Sequence, residues 1–288
     1  MNIWMAVIGK MEESAVQCQN DCGNECTDLS VHLWDTAVAF YVGSLAGESG
    51  TAKGNLMYDL ADRMCKAFRT CGQASLGESG TSYVNIEAMS EFSRGQAFAA
   101  GRQCDELILS KERIVRLMTV PLVQATIRSA YFRGIHPAAT EEDGEIDEAM
   151  GATYAATILP LVHACDPNDA EIIYTNMRLT PNVDLAVDFR AVKTALEHSY
   201  SCMGLTCKQV GGVWEKTQYG TSAAPCGGTN DEKNLAGIVV GTVFGGACIC
   251  LLAFVLFHRN RKRTRNRIDD EESPIAQKSE EGEIRSFD

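Results

Sequence analysis

Residues Leu235–Phe257 read LAGIVVGTVFGGACICLLAFVLF, 23 positions without a charge. A helix needs about 20 apolar residues to cross the hydrocarbon core of a bilayer, so this stretch is expected to span a membrane. His258–Arg267 follows as HRNRKRTRNR, with six Lys/Arg in ten residues. Such a cluster stays on the cytoplasmic side. The expected arrangement is single-pass: residues before 235 outside the cell, the span in the plasma membrane, and a cytoplasmic tail over 258–288. Gly237, Gly241 and Gly245 lie four apart within the span, a spacing that lets two helices approach closely and makes a homodimer through this face an expected partner mode.

The tail from Arg259 onward carries eight basic and eight acidic residues, so the formal charge of −12 rests on the outer segment. A surface this acidic repels nucleic-acid phosphates, which excludes nucleic acid as the expected partner. It suits cations, or serves solubility alone. Ten of the twelve cysteines precede the span, and an even number outside a membrane reads as a disulfide framework. Cys248 and Cys250 sit inside the span and read as small apolar fillers. The chain opens MNIWMAVIGKMEES, where the apolar run Ile3–Ile8 is short for a secretory leader and lacks a basic region before it. Either the span acts as a signal anchor or the sequence lacks an upstream leader, and the second reading is preferred.

Outward from the span, the chain divides into a Cys-rich segment over 1–29, a helical domain over 30–207 and a Cys/Gly-rich collar over 208–234. Residues 18–26, CQNDCGNEC, fit either one face of a helix or a loose stapled segment. Asp28 or Ser30 is expected to start a helix through Leu45, with Val31, Trp34, Val38, Tyr41, Val42 and Leu45 as its apolar stripe. A second helix is expected over Ala52–Phe68, with Leu56, Leu60, Met64 and Phe68 on one side. The spacing of Cys65 and Cys71 allows them to pair. A third runs over Asn85–Leu109, kinked at Gly95 or Gly101. A fourth is capped by Ser110 and carries Ile114, Leu117, Met118, Leu122, Ile127 and Phe132, with a kink at Pro121. A fifth covers Asp147–Ala164. Asn168 and Glu171 resemble a capping box for a sixth over Asp169–Met177, and a seventh covers Val183–Tyr200. The expected fold is all-α: a disulfide-stapled antiparallel helical bundle, plus one C-terminal transmembrane helix.

Enzyme signatures are weak. Gly47–Gly54, GESGTAKG, approaches a phosphate-binding loop. Ala52 replaces the second required glycine and Gly54 the Mg²⁺-binding hydroxyl, so both the backbone nest and the metal ligand are compromised. No G-x-S-x-G or H-E-x-x-H occurs. A non-enzyme is expected. Hard-metal chemistry fits the residues better. The candidate ligands are Asp35 and Tyr41 on the first helix, Tyr58 on the second beside Asp59 and Asp62, Tyr131 on the fourth, and Glu148, Tyr154 and His163 on the fifth. Ferric iron prefers such oxygen donors. Arg128, three residues from Tyr131, would hold a synergistic anion such as carbonate by paired hydrogen bonds.

Four ordered segments carry a resemblance. They are Trp34–Ser44 (WDTAVAFYVGS), Gly54–Cys71 (GNLMYDLADRMCKAFRTC), Ile114–Phe132 (IVRLMTVPLVQATIRSAYF) and Gly151–Cys165 (GATYAATILPLVHAC), with Ala170–Met177 alongside. Together they resemble the algal iron-assimilation family, the low-iron-inducible periplasmic proteins, with the diatom phytotransferrins among them. The resemblance implies a secreted or surface-anchored protein that concentrates ferric iron, with carbonate, outside the cell and works with an endocytic or uptake machinery. The ligand set above rests on residue type and segment. The rival expectation is a structural or adhesion ectodomain that signals through its short tail.

Overall fold

A computed structural model describes residues 2–20, 24–43, 56–72, 77, 80–135, 141–179 and 187–227. The described residues belong to one compact unit, Met1–Asn230. The expected span Leu235–Phe257, its glycine face and the cytoplasmic tail lie outside the described residues, as do Gly47–Gly54 and Leu45. Among the described residues no helix is long and apolar enough to cross a membrane.

The domain is mostly helical and disulfide-bonded, as expected. Its helices are α1 (Asn2–Gln19), α2 (Asn24–Val42), α3 (Met57–Phe68), α4 (Tyr83–Ala100), α5 (Cys104–Ile135), α6 (Glu141–Cys165), α7 (Pro167–Met177), α8 (Phe189–Met203) and the single turn α9 (Cys207–Val210). Chain neighbours α1 and α2, α4 and α5, α5 and α6, α6 and α7, and α7 and α8 pack against one another. The 32-residue α5 also touches α1, α3 and α8 and so runs through the centre of the core. Its residues Ile114, Met118, Val120, Val123 and Ala130 are fully enclosed. Each large apolar side chain enclosed in this way contributes about 1.5–3 kcal/mol relative to exposure.

Residues 2–19 of the N-terminal segment form a packed helix. Trp4, Val7, Met11, Ser14 and Cys18 recur at three- and four-residue steps, and all face the core of α1. Ser14 and Ser30 lock α1 to α2 from both sides: Ser14 Oγ donates to the Ser30 carbonyl at 2.8 Å, and Ser30 Oγ to the Ser14 carbonyl at 2.9 Å. Small hydroxyls let the two backbones approach while keeping every polar atom satisfied. The Cys18–Cys104 disulfide then ties the end of α1 to the start of α5. The expected boundaries at 29/30 and 207/208 fall inside α2 and at the first residues of α9.

The expected single helix Asn85–Leu109 is two. Gly101 caps α4, and Arg102 takes the left-handed conformation at φ 52°, which reverses the chain before α5. Ser110 is therefore not a cap. It lies inside α5, buried, with Oγ donating to Glu91 Oε2 at 3.3 Å. Gly95 lies within α4, and Trp34 packs so closely against it that an added Cβ would lie 2.0 Å from Trp34 Cζ2. The cap of α7 is Asp166, whose carboxylate accepts from the amides of Asn168 and Asp169, with Pro167 opening the helix. Proline suits that first position because its missing N–H has no helical partner there anyway. This corrects the Asn168–Glu171 capping box. Asp188 caps α8 in the same manner. Both α5 and α6 run on through their prolines, Pro121 and Pro160.

Up to residue 227 the collar after α9 carries a short hairpin. Strands β1 (Trp214–Glu215) and β2 (Gln218–Tyr219) pair antiparallel. Val210, Val213, Ala223 and Ala224 are buried, and Gln124 of α5 donates to the Val210 carbonyl at 2.8 Å. Between described residues, four disulfides join Cys18–Cys104, Cys65–Cys71, Cys165–Cys202 and Cys207–Cys226. Cys26 is also disulfide-bonded.

Candidate functional site

The C-terminal half of α2, the length of α3 and the first turn of α4 meet around Asn85, which is fully buried. Local sequence explains why. Ser82 caps α4, its Oγ accepting from the Asn85 amide at 2.9 Å. The Cys65–Cys71 disulfide and the left-handed Arg69 turn the chain sharply at the end of α3, and Cys71 then pairs with Ser82 in an isolated bridge. The turn delivers Asp62 of α3 to the N-terminus of α4. There Asp62 Oδ1 accepts from the Ser82 amide at 2.7 Å and from Asn85 Nδ2 at 2.8 Å. A carboxylate is favoured at that end of a helix by the exposed amides and the macrodipole.

Asn85 distributes its other bonds to the two candidate tyrosines. Its Nδ2 also donates to the Tyr58 carbonyl at 2.8 Å, and its Oδ1 accepts from Tyr41 Oη at 2.5 Å. The rings of Tyr41 and Tyr58 meet edge to face, with centroids 6.1 Å apart, and Phe92 closes the far side of Tyr41 at 5.4 Å. Burial, then Asp62, then Tyr58 push the Tyr41 phenol far above its ordinary value. It is a neutral hydrogen-bond donor at any physiological pH. Burial and Asp62 also push Tyr58 upward, and the Thr81 hydroxyl bonded to it acts in the opposite direction. On the exposed side of α3, Arg63 pairs with Asp59.

The other sequence candidates fall into separate neighbourhoods. Tyr131 is buried, donates to Glu215 Oε1 at 3.0 Å and accepts from the Thr221 amide at 3.2 Å. It thus fastens α5 to the β1–β2 hairpin, and burial and Glu215 push its phenol up. Glu148 is buried against Arg133, 3.4 Å away. Arg128 lays its guanidinium over the Phe132 ring at 4.6 Å. Asp35 is exposed and accepts from Gln96 Nε2 at 2.7 Å. Tyr154 is half-buried against the core, and His163 is exposed in the last turn of α6. The structure therefore brings together Tyr41 and Tyr58, with Asp62 and Asn85 beside them. Among the described residues no group of three or more His, Cys, Asp or Glu side chains is placed to hold a metal ion.

Asn85 is the residue that sequence reasoning did not single out. It is polar, follows a Ser cap by three positions and opens an amphipathic helix, which marks it as a first-turn residue and nothing more. Comparison with family models, with curated proteins and with solved structures finds no match.

Proposed function

We propose that the domain binds ferric iron outside the cell, tethered to the membrane by the apolar stretch Leu235–Phe257, and supports iron uptake without catalytic turnover. The observation that carries this reading is the meeting of Tyr41 and Tyr58, from two helices, beside the Asp62 carboxylate. Phenolate and carboxylate oxygens are the hard donors that ferric iron prefers. The side chains divide the work. Asp62 Oδ1 is committed to two N–H donors, which leaves Oδ2 without a partner among the described residues. Tyr58 is half-buried at the edge of the cluster, so its oxygen is the phenol that a metal ion reaches. Tyr41 stays protonated behind it, holding Asn85 and through it Asp62.

Iron binding in this scheme expels the Tyr58 proton, since the ligand is the phenolate. Affinity then rises about tenfold for each pH unit below the tyrosine's own pKa, and falls on acidification, which is the release step for an acidified vesicle. The test is a ferric titration of residues 1–230, which form one compact unit with their own core and disulfides, with and without carbonate. The expected result is a visible tyrosinate-to-iron band that Tyr58→Phe abolishes while far-UV dichroism is unchanged. No band together with no micromolar binding would overturn the reading.

A further inference from the structure

The Cys165–Cys202 disulfide joins the last residue of α6 to the last turn of α8. Among the described cysteines only Cys202 is exposed, and Cys165 is half-buried. Cys18, Cys26, Cys65 and Cys71 are each 4% exposed or less, and Cys104, Cys207 and Cys226 pack against the core. Both Cys165 and Cys202 line an open groove of about 620 Å³ between α1, α5, α6 and α8, walled in part by Val115, Leu161 and Met203. Lys111 in this groove is neutralised by Glu12 at 2.7 Å. Glu112 and Arg116 lie one turn apart on α5 and line it too. The Arg116 stem is drawn over Gly204, its Cδ 2.4 Å from where a Cβ would stand, two residues from Cys202.

We propose that this groove is a thiol–disulfide exchange site, and that its substrate is a dithiol reductant at the cell surface. Exchange requires a thiolate to reach one sulfur of the bridge, and exposed disulfides are the labile ones. The attacking thiolate forms a mixed disulfide with Cys202 Sγ, and Cys165 leaves as a thiolate. The second thiol of the reductant then displaces Cys202. Two electrons pass to the cysteine pair, the dithiol becomes a disulfide, and its two protons go to the released cysteines or to solvent. A nearby guanidinium favours thiolates, which gives Arg116 a positioning part. Reduction frees the end of α6 from α8 and removes a cross-link across a 37-residue separation.

The test uses the full chain in lipid nanodiscs, titrated with dithiothreitol, quenched with an isotope-coded alkylating agent and read by peptide mass spectrometry. Cys165 and Cys202 should be labelled at a rate at least tenfold above every other cysteine pair. Arg116→Glu should slow that labelling at least threefold and leave the other pairs unchanged. Reduction of another pair first, or of all pairs together, would overturn the proposal.

Discussion

Tyr41 Oη donates to Asn85 Oδ1 at 2.5 Å, fastening the end of α2 to the first turn of α4 across 44 residues of sequence. The bond completes a fully used amide, since Asn85 Nδ2 already serves Asp62 and the Tyr58 carbonyl. Asn85→Ala would strand the Tyr41 hydroxyl and weaken the hold on Asp62 in one step. A buried group left without its partner costs about 1–3 kcal/mol, so a loss of roughly 2–4 kcal/mol is expected. Tyr41→Phe strands only the Asn85 Oδ1 acceptor and leaves the bond to Asp62 in place, so it should cost less. Urea unfolding of both variants checks the order.

Alkaline pH should unfold the domain through its tyrosines. Tyr41 and Tyr200 are buried, and burial pushes both phenols above the ordinary value of 10.0. Below pH 10 both folded and unfolded chains keep these protons, and stability is complete. As pH rises past that point the unfolded chain releases protons that the folded chain retains. Stability then falls by about 1.4 kcal/mol per pH unit for each such tyrosine. Tyr41→Phe should show a shallower decline between pH 10 and 11 than the parent, measured by urea midpoint.

Gly95→Ala should destabilise despite lying inside a helix. Alanine is favoured over glycine there by roughly 0.5–1 kcal/mol. The new methyl would stand 2.0 Å from Trp34 Cζ2, in a ring that is fully enclosed and donates to the Phe92 carbonyl at 2.8 Å. Overpacking of this kind costs about 1–3 kcal/mol, occasionally more. The net effect is a lower Tm, and an unchanged or higher Tm would show that Trp34 can move aside.

Replacing Cys18 and Cys104 together by serine should lower stability by about 2–5 kcal/mol, since the bridge spans a separation of 86 residues. The Cys65–Cys71 pair, separated by 6 residues, should cost less globally. It should still loosen the Asp62–Ser82 contact, which amide hydrogen exchange at Ser82 would report.

The helices were legible where an apolar stripe and a stop signal agreed. Leu60, Met64 and Phe68 of α3, and Ile114, Leu117, Met118, Leu122 and Ile127 of α5, are buried as their spacing requires. Helix α1 is harder to read because the apolar run Ile3–Ile8 at a chain start resembles a leader, although Trp4, Val7, Met11 and Cys18 carry the helical period. The break at Gly101–Gln103 was blurred because glycine permits a kink or an end equally, and the choice lies with the left-handed Arg102. At the candidate site, residue type pointed to Tyr41 and Tyr58. What joins them is a contact between α2 and α3 and an amide on α4, and no local pattern encodes a side-chain meeting over such distances. Tyr131 and Glu148 show the converse: correct chemistry on a core helix, spent on holding a hairpin and an arginine.

The bond between Cys18 and Cys104 sets an order of events during synthesis. Cys18 leaves the ribosome with Cys22 and Cys26 close behind it, while its native partner is 86 residues away. Short loops close faster and at lower entropic cost than long ones, so pairing of Cys18 with a nearby cysteine competes with its native bridge. The growing chain must hold Cys18 reduced, or exchange its first partner, until α5 emerges. Any Cys18 bridge made early must be reshuffled before the native one forms, and cell-free oxidative refolding should run slower without a disulfide isomerase than with one.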